Sequence, residues 1–309
     1  MPALRASRRP RAALCLLAAL AAAPQVARAQ AAFIPDTARV RVVSIPGSLP
    51  QPRRAVVVLP TGYGASARRY PVLYLLHGHD GGHLNWMDRT NLLDYTAALP
   101  LIVVLPDAGD SWYTNSAARP DEKFEDYVAK DVPAFIDLHF RTLTFREARY
   151  VAGLSMGGYG ALKLGLKYPA RFSLAGSFSG ALTAATDTSY RTLQDAFGPV
   201  GNPSRAANDL LALARAASVS ASYFYIDTGT ADRVLPSNRA LVEVMQARPV
   251  AYEYHEVPGN HSWEFWNRRL PVFLALVEER IARLPGAASS APPGGSPARP
   301  APRRGRAGH

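Results

Sequence analysis

The sequence is almost without cysteine. Its 309 residues contain one, Cys15, which stands inside an apolar run near the N-terminus. A chain of this kind builds no internal disulfide framework, and once that run is removed it offers no thiol nucleophile and no thiolate metal site. The sequence also lacks any stretch of 18 apolar residues, which excludes a spanning helix as an expectation. Acidic residues are missing from both ends. Residues 1–29 carry Arg5, Arg8, Arg9, Arg11 and Arg28, and residues 285–309 carry Arg299, Arg303, Arg304 and Arg306, with no Asp or Glu in either stretch. These nine arginines account for all but +2 of the formal net charge of +11. The body is nearly neutral, so no electrostatic footprint for nucleic acid is expected.

What remains has an ordinary globular composition, 48% hydrophobic, 9% aromatic and 19% charged. Residues 1–29 read as a signal peptide. A basic start precedes the apolar run 12–23, and Ala27-Arg28-Ala29 supplies a small-residue cleavage site before Gln30. Leu14 precedes Cys15 where a lipoprotein site would need a small residue, so no lipid anchor is read. The expected location is secreted or periplasmic. Residues 285–309 are Pro, Gly, Ala, Ser and Arg, too poor in apolar surface to offset their ordering entropy, and read as a disordered tail. Residues 30–284 are left as one domain.

Within it, short β-branched or apolar runs at 40–43, 55–59, 72–76, 101–105, 150–152, 173–176, 223–226 and 252–257 alternate with helical patterns. One apolar face runs through Phe124, Val128, Val132, Phe135, Ile136 and His139; others cover 210–216, 241–245 and 265–284. Such alternation predicts an α/β fold with a mostly parallel sheet, whose ligands bind beyond the carboxyl ends of the strands.

One strand end carries Gly153-Leu-Ser155-Met-Gly157. In this pattern a serine sits on a tight strand-to-helix turn that lifts its hydroxyl above the sheet, and the flanking glycines let the two backbones approach. The following helix aims free N–H groups at the place where an oxyanion forms, so the Met156 N–H is an expected donor. A serine needs a base within hydrogen-bond reach. Downstream, His309 ends the tail and His255 lies within a strand, whereas His261 leaves a strand end through Val257-Pro-Gly-Asn260, which favours His261. For the acid, Asp232 is favoured over Asp227 because it lies five residues farther along the loop and can reach across. The glycine-rich stretch His77-Gly-His79-Asp-Gly-Gly82 follows an earlier strand, and the His79 N–H is the expected second oxyanion donor. His77, His79 and His83 lack further ligands at metal spacing beyond Asp80, so neither metal nor cofactor is expected. Trp86, Asp107, Trp112 and Tyr113 lie near strand ends and are expected to form a substrate-binding rim. Residues 181–221 are long enough for a partial cap.

Together Tyr74-Leu-Leu-His-Gly78 with Trp86, Val104-Leu-Pro-Asp107, Gly153-Leu-Ser-Met-Gly-Gly-Tyr-Gly160, Ile226-Asp-Thr-Gly-Thr-Ala-Asp232 and Pro258-Gly-Asn-His261-Ser-Trp263 with Trp266 resemble a known group. It is the "Putative esterase" branch of the α/β-hydrolases: esterase D (S-formylglutathione hydrolase), tributyrin-type esterases, and the feruloyl and acetyl-xylan esterases of carbohydrate esterase family 1. The resemblance implies an eight-stranded α/β-hydrolase fold, Ser155, Asp232 and His261 as a triad, and His79 and Met156 as oxyanion donors. The activity it implies is a serine carboxylesterase acting on a small-molecule or saccharide ester; the N-terminal signal makes it an exported one, and a histidine base makes activity rise through about pH 6–8. Alternatives are an acyltransferase of the mycolyltransferase type, a periplasmic siderophore esterase, and a non-catalytic carbohydrate or cell-wall binder on the same fold.

Overall fold

The computed structural model describes residues 39–218 and 222–285. The expected signal peptide, and the expected tail from residue 286 on, lie outside the described residues.

Eight strands form one sheet: β1 (Val40–Ile45), β2 (Arg53–Val58), β3 (Val72–Leu76), β4 (Ile102–Pro106), β5 (Arg149–Leu154), β6 (Leu174–Phe178), β7 (Tyr223–Gly229) and β8 (Tyr252–Val257). The spatial order is β1-β2-β4-β3-β5-β6-β7-β8. β2 runs antiparallel to both its neighbours, and every other pairing is parallel. Every residue of β3, β4, β5 and β6 is buried. Helices cover both faces there, which is why these strands read as continuous apolar runs. β8 is half-buried throughout, as befits an edge.

The helices are α1 (Asn85–Arg89) and α2 (Leu92–Tyr95) after β3, α3 (Phe124–Asp126) and α4 (Val132–His139) after β4, and α5 (Met156–Lys167) after β5. Next come α6 (Arg191–Phe197), α7 (Pro203–Ala207) and α8 (Leu210–Ala216) between β6 and β7, then α9 (Leu235–Gln246), and α10 (Trp263–Ala282) after β8. The single helical face expected from Phe124 to His139 is interrupted. Tyr127–Asp131 widens into a π-helix, because Pro133 at the start of α4 has no N–H for the normal ladder. His139, counted on that apolar face, is exposed and stacks on Phe135 at 4.0 Å between ring centres.

This topology creates the site. β3 has β4 on one side and β5 on the other, so the loops leaving β3 and β5 part company at a switch point, where a crevice opens. Leu76 at the end of β3 pairs in register with Gly153 near the end of β5. The Gly78–His79 loop and the serine turn are therefore neighbours. The later strands step outward, bringing the loops after β6, β7 and β8 to the same edge.

Candidate active site

Ser155 caps α5 with φ 52° and ψ −116°, a left-handed backbone that is uncommon for a residue with a Cβ. The turn is held by its neighbours: the Ser155 N–H donates to Phe178 O at 3.0 Å. The glycines on either side are sterically required. A Cβ on Gly153 would stand 2.5 Å from the Gly157 backbone, and one on Gly157 would stand 2.5 Å from the Leu76 and His77 carbonyl oxygens. The turn thus exists because strand and helix backbones touch, and only hydrogen fits between them.

Three side chains from separate loops meet here. Ser155 Oγ lies 3.0 Å from His261 Nε2, and His261 Nδ1 lies 3.0 Å from both carboxylate oxygens of Asp232. A carboxylate only accepts, so Nδ1 carries the proton and, in the neutral ring, the bare Nε2 accepts from the serine hydroxyl. Burial alone would raise the Asp232 carboxyl, but the hydrogen bonds from His261 and from the Val234 N–H hold it below the ordinary carboxylate value. Trp266 stands edge-on to the imidazole at 5.0 Å and limits its tilt.

The competing residues are engaged elsewhere. Asp227 is buried, accepting from the Tyr225 hydroxyl and from Arg269 Nε, both at 2.5 Å. His255 lies beside Tyr225, with Nε2 3.3 Å from Glu253 Oε2.

Met156 is the first residue of α5, so its N–H has no partner within the helix. Gly78 abuts the nucleophile: a Cβ there would lie 3.5 Å from Ser155 Cβ. The next residue, His79, borders the cavity, its ring held between Asp80 (Nδ1 to Oδ2 3.0 Å) and the Thr192 hydroxyl (Nε2 to Oγ1 3.1 Å). Among the described residues, His79, Asp80 and Asp110 are close enough to share one cation, although Asp80 is largely exposed.

A cavity of about 730 Å³ opens above Ser155. Its walls include Trp112, Tyr190, Trp263 and Trp266. Of the four rim residues expected from sequence, Trp112 alone lines it, and the other three are corrected. Trp86 is 1% exposed, with its indole N–H donating to Leu76 O at 2.9 Å and its ring packed on Phe178 and Trp263. Tyr113 is fully buried and donates to His77 O at 2.8 Å. Asp107 lies outside the lining, 3.5 Å from His83 Nδ1. Aromatic and acidic residues near strand ends carry no mark that separates packing from lining. The cavity also takes in Arg89, Tyr190 and Arg233, which sequence reasoning missed; they lie on turns and short elements without periodicity.

The sheet order, the serine turn and the Ser–His–Asp constellation together define a serine-hydrolase centre on an α/β-hydrolase fold. The chain belongs to the "Putative esterase" family, whose model matches residues 47–276. It is 31% identical over 261 residues to Esterase Rv1288 of Mycobacterium tuberculosis, an alignment covering 74% of this chain and 55% of that protein. The chain thus spans about half the length of that relative. It is 29% identical over 210 residues to an acetyl esterase of Caldicellulosiruptor saccharolyticus, covering 63% of this chain and 79% of that protein. In fold it is similar to FphF, a fluorophosphonate-binding serine hydrolase of Staphylococcus aureus, with TM-score 0.69, 21% identity, and coverage of 77% and 98% of the two chains.

Proposed function

We propose that the chain is an exported serine carboxylesterase that hydrolyses carboxylic esters through an acyl-enzyme on Ser155. The observation that carries this reading is the unbroken line from Ser155 Oγ through His261 to Asp232, each link 3.0 Å. The names of the relatives, esterase and acetyl esterase, support the choice of ester over other acyl bonds. Export rests on the basic, apolar and Ala-x-Ala pattern of residues 1–29, which points to a secreted or periplasmic protein.

Ser155 Oγ attacks the ester carbonyl carbon while His261 Nε2 takes the hydroxyl proton. The carbonyl oxygen becomes an oxyanion held by the Met156 and His79 N–H groups, each such donor contributing about 10²–10³-fold to the rate. The bond to the alcohol oxygen breaks, and His261 gives that oxygen the proton. Water then enters, His261 takes one of its protons, and its oxygen bonds the acyl carbon. Collapse frees the carboxylic acid and returns the proton to Ser155. Asp232 stays ionised throughout, holding the imidazole tautomer and stabilising the imidazolium.

The test uses the purified protein with a fluorophosphonate probe and a short-chain 4-nitrophenyl ester. Covalent labelling and turnover are expected, with both lost in Ser155→Ala. Labelling that survives this substitution would overturn the assignment of the nucleophile, and a wild-type protein that neither labels nor turns over would favour the binding-protein alternative.

A further inference from the structure

The charged residues lining the cavity divide into two groups. The acids are occupied: Asp80 faces His79 Nδ1 at 3.0 Å, and Asp187 Oδ1 accepts the Ser189 N–H at 2.8 Å. The two arginines are not. Arg89 and Arg233 both border the cavity, and among the described residues neither guanidinium makes a hydrogen bond or an ion pair. A guanidinium presents five donors in a flat fork that matches a carboxylate or phosphate, and two of them idle at one cavity are open positions for such a group.

Their anchoring tells which half of the ester the group belongs to. Arg89 ends α1, which the Trp86–Trp263 contact of 5.6 Å ties to the loop carrying His261. Arg233 directly follows Asp232, which holds the His261 ring. Both arginines thus sit on elements tied to those that hold His261, the group that hands its proton to the departing alcohol.

We infer that this enzyme acts on esters whose alcohol half carries an anionic oxygen group, a carboxylate or a phosphate, received by Arg89 and Arg233. The inference rests on the serine esterase reading and narrows its substrate. An anion held there fixes the leaving oxygen beside His261 Nε2 and lets binding energy from a remote group act on the reacting bond. Both arginines are exposed, so solvent screens the attraction and the effect weakens with salt.

Three acetyl esters test this: 4-acetoxybenzoate, 4-acetoxyphenyl phosphate and the neutral methyl 4-acetoxybenzoate. The readout is kcat/KM for each anion divided by that for the neutral ester, compared between wild type and the R89A/R233A double variant, so that intrinsic leaving-group differences cancel. The ratio is expected to fall about tenfold or more in the double variant. In the wild type alone it is also expected to fall with rising salt. A fall confined to one of the two anions identifies which chemistry the pair receives. Ratios that agree between wild type and variant within roughly twofold, or that ignore salt, overturn the inference. Turnover of the neutral ester that is lost in S155A keeps the esterase reading intact in that case. Absence of any Ser155-dependent turnover overturns that reading, and this inference with it.

Discussion

At the scale of single residues, the site depends on side chains that never touch substrate. His77 is buried, and its Nε2 accepts the Ala108 N–H at 3.0 Å. Its Nδ1 therefore carries the proton and donates to Gly78 O at 2.8 Å. Burial keeps this ring below its usual pKa, so it stays neutral. In a trans peptide the C=O and N–H point opposite ways, so holding the Gly78 oxygen also aims the His79 N–H, the proposed oxyanion donor. His77→Leu is expected to lower kcat by about 10–10²-fold with a smaller change in KM, while fluorophosphonate still labels Ser155. An effect confined to KM would show that the ring serves packing alone. The residues of the serine turn were legible in sequence because their constraint is local: a backbone approach that admits only glycine. The rim residues were not, because Trp86, Trp112 and Tyr113 share composition and neighbourhood, all three are buried, and only the fold puts Trp112 on the cavity wall.

At the scale of elements, α5 carries a buried charge cluster about two turns beyond Ser155. Lys163 is completely buried, donating to Tyr113 O at 2.7 Å and to Thr114 Oγ1 at 2.5 Å, and lies 3.0 Å from Glu125 Oε2. Glu125 also faces Lys167 Nζ at 2.6 Å and accepts from the Tyr168 hydroxyl at 2.8 Å. Trp112 and Tyr113 both have left-handed φ, 55° and 52°, and the Lys163 bonds secure that strained pair and hence the tryptophan on the cavity wall. Glu125→Gln leaves the lysines without their counter-charge and is expected to cost about 3–5 kcal/mol of stability, measured by denaturant unfolding. A cost under about 1 kcal/mol would mean that solvent reaches the cluster.

The segment between β6 and β7 is pinned in a comparable way. Arg205 is buried, has no carboxylate in contact among the described residues, and donates to the carbonyls of Gly198, Ala185 and Asp187 at 2.8–2.9 Å. That segment supplies Tyr190 and Asp187 to the cavity. Arg205→Met is expected to raise KM for bulky esters more than for acetyl esters, with Ser155 still labelled. Equal changes for both would place the effect on global stability. The short α6 and α7 were not read from sequence, although α8, no longer than α6, was. The runs at 72–76 and 252–257, in contrast, coincide with β3 and β8.

At the scale of the whole molecule, the carboxylates set the acid limit. Burial would raise the Glu125 carboxyl, but Lys163 and Lys167 bring it down to about 2. Asp107 and Asp232 are also held below their ordinary values by hydrogen bonds that outweigh burial. Asp227 goes the other way: burial raises it despite Tyr225 and Arg269. A carboxyl depressed in the fold contributes stability that is complete above its unfolded pKa and is lost as pH falls toward the folded one. The hydrogen bond from Arg239 also lowers Glu256, so with four groups depressed against one raised, the melting temperature is expected to drop as pH falls from about 4.5 toward 2, and Glu125→Gln should flatten part of that slope. A melting temperature constant across that window would contradict the assignment.

The sequence by itself determined the alternation of strands and helices, the serine turn, and a chain order of serine, acid and histidine, because each of these is written in nearest neighbours or in a short period. Only the tertiary structure decided that His261 rather than His255 meets Ser155, that Asp232 rather than Asp227 holds it, and that Trp112, Arg89 and Arg233 face the cavity. Those outcomes depend on which loops the strand order β5-β6-β7-β8 brings to one edge, and on which side of the sheet each side chain leaves, distances set between residues far apart along the chain.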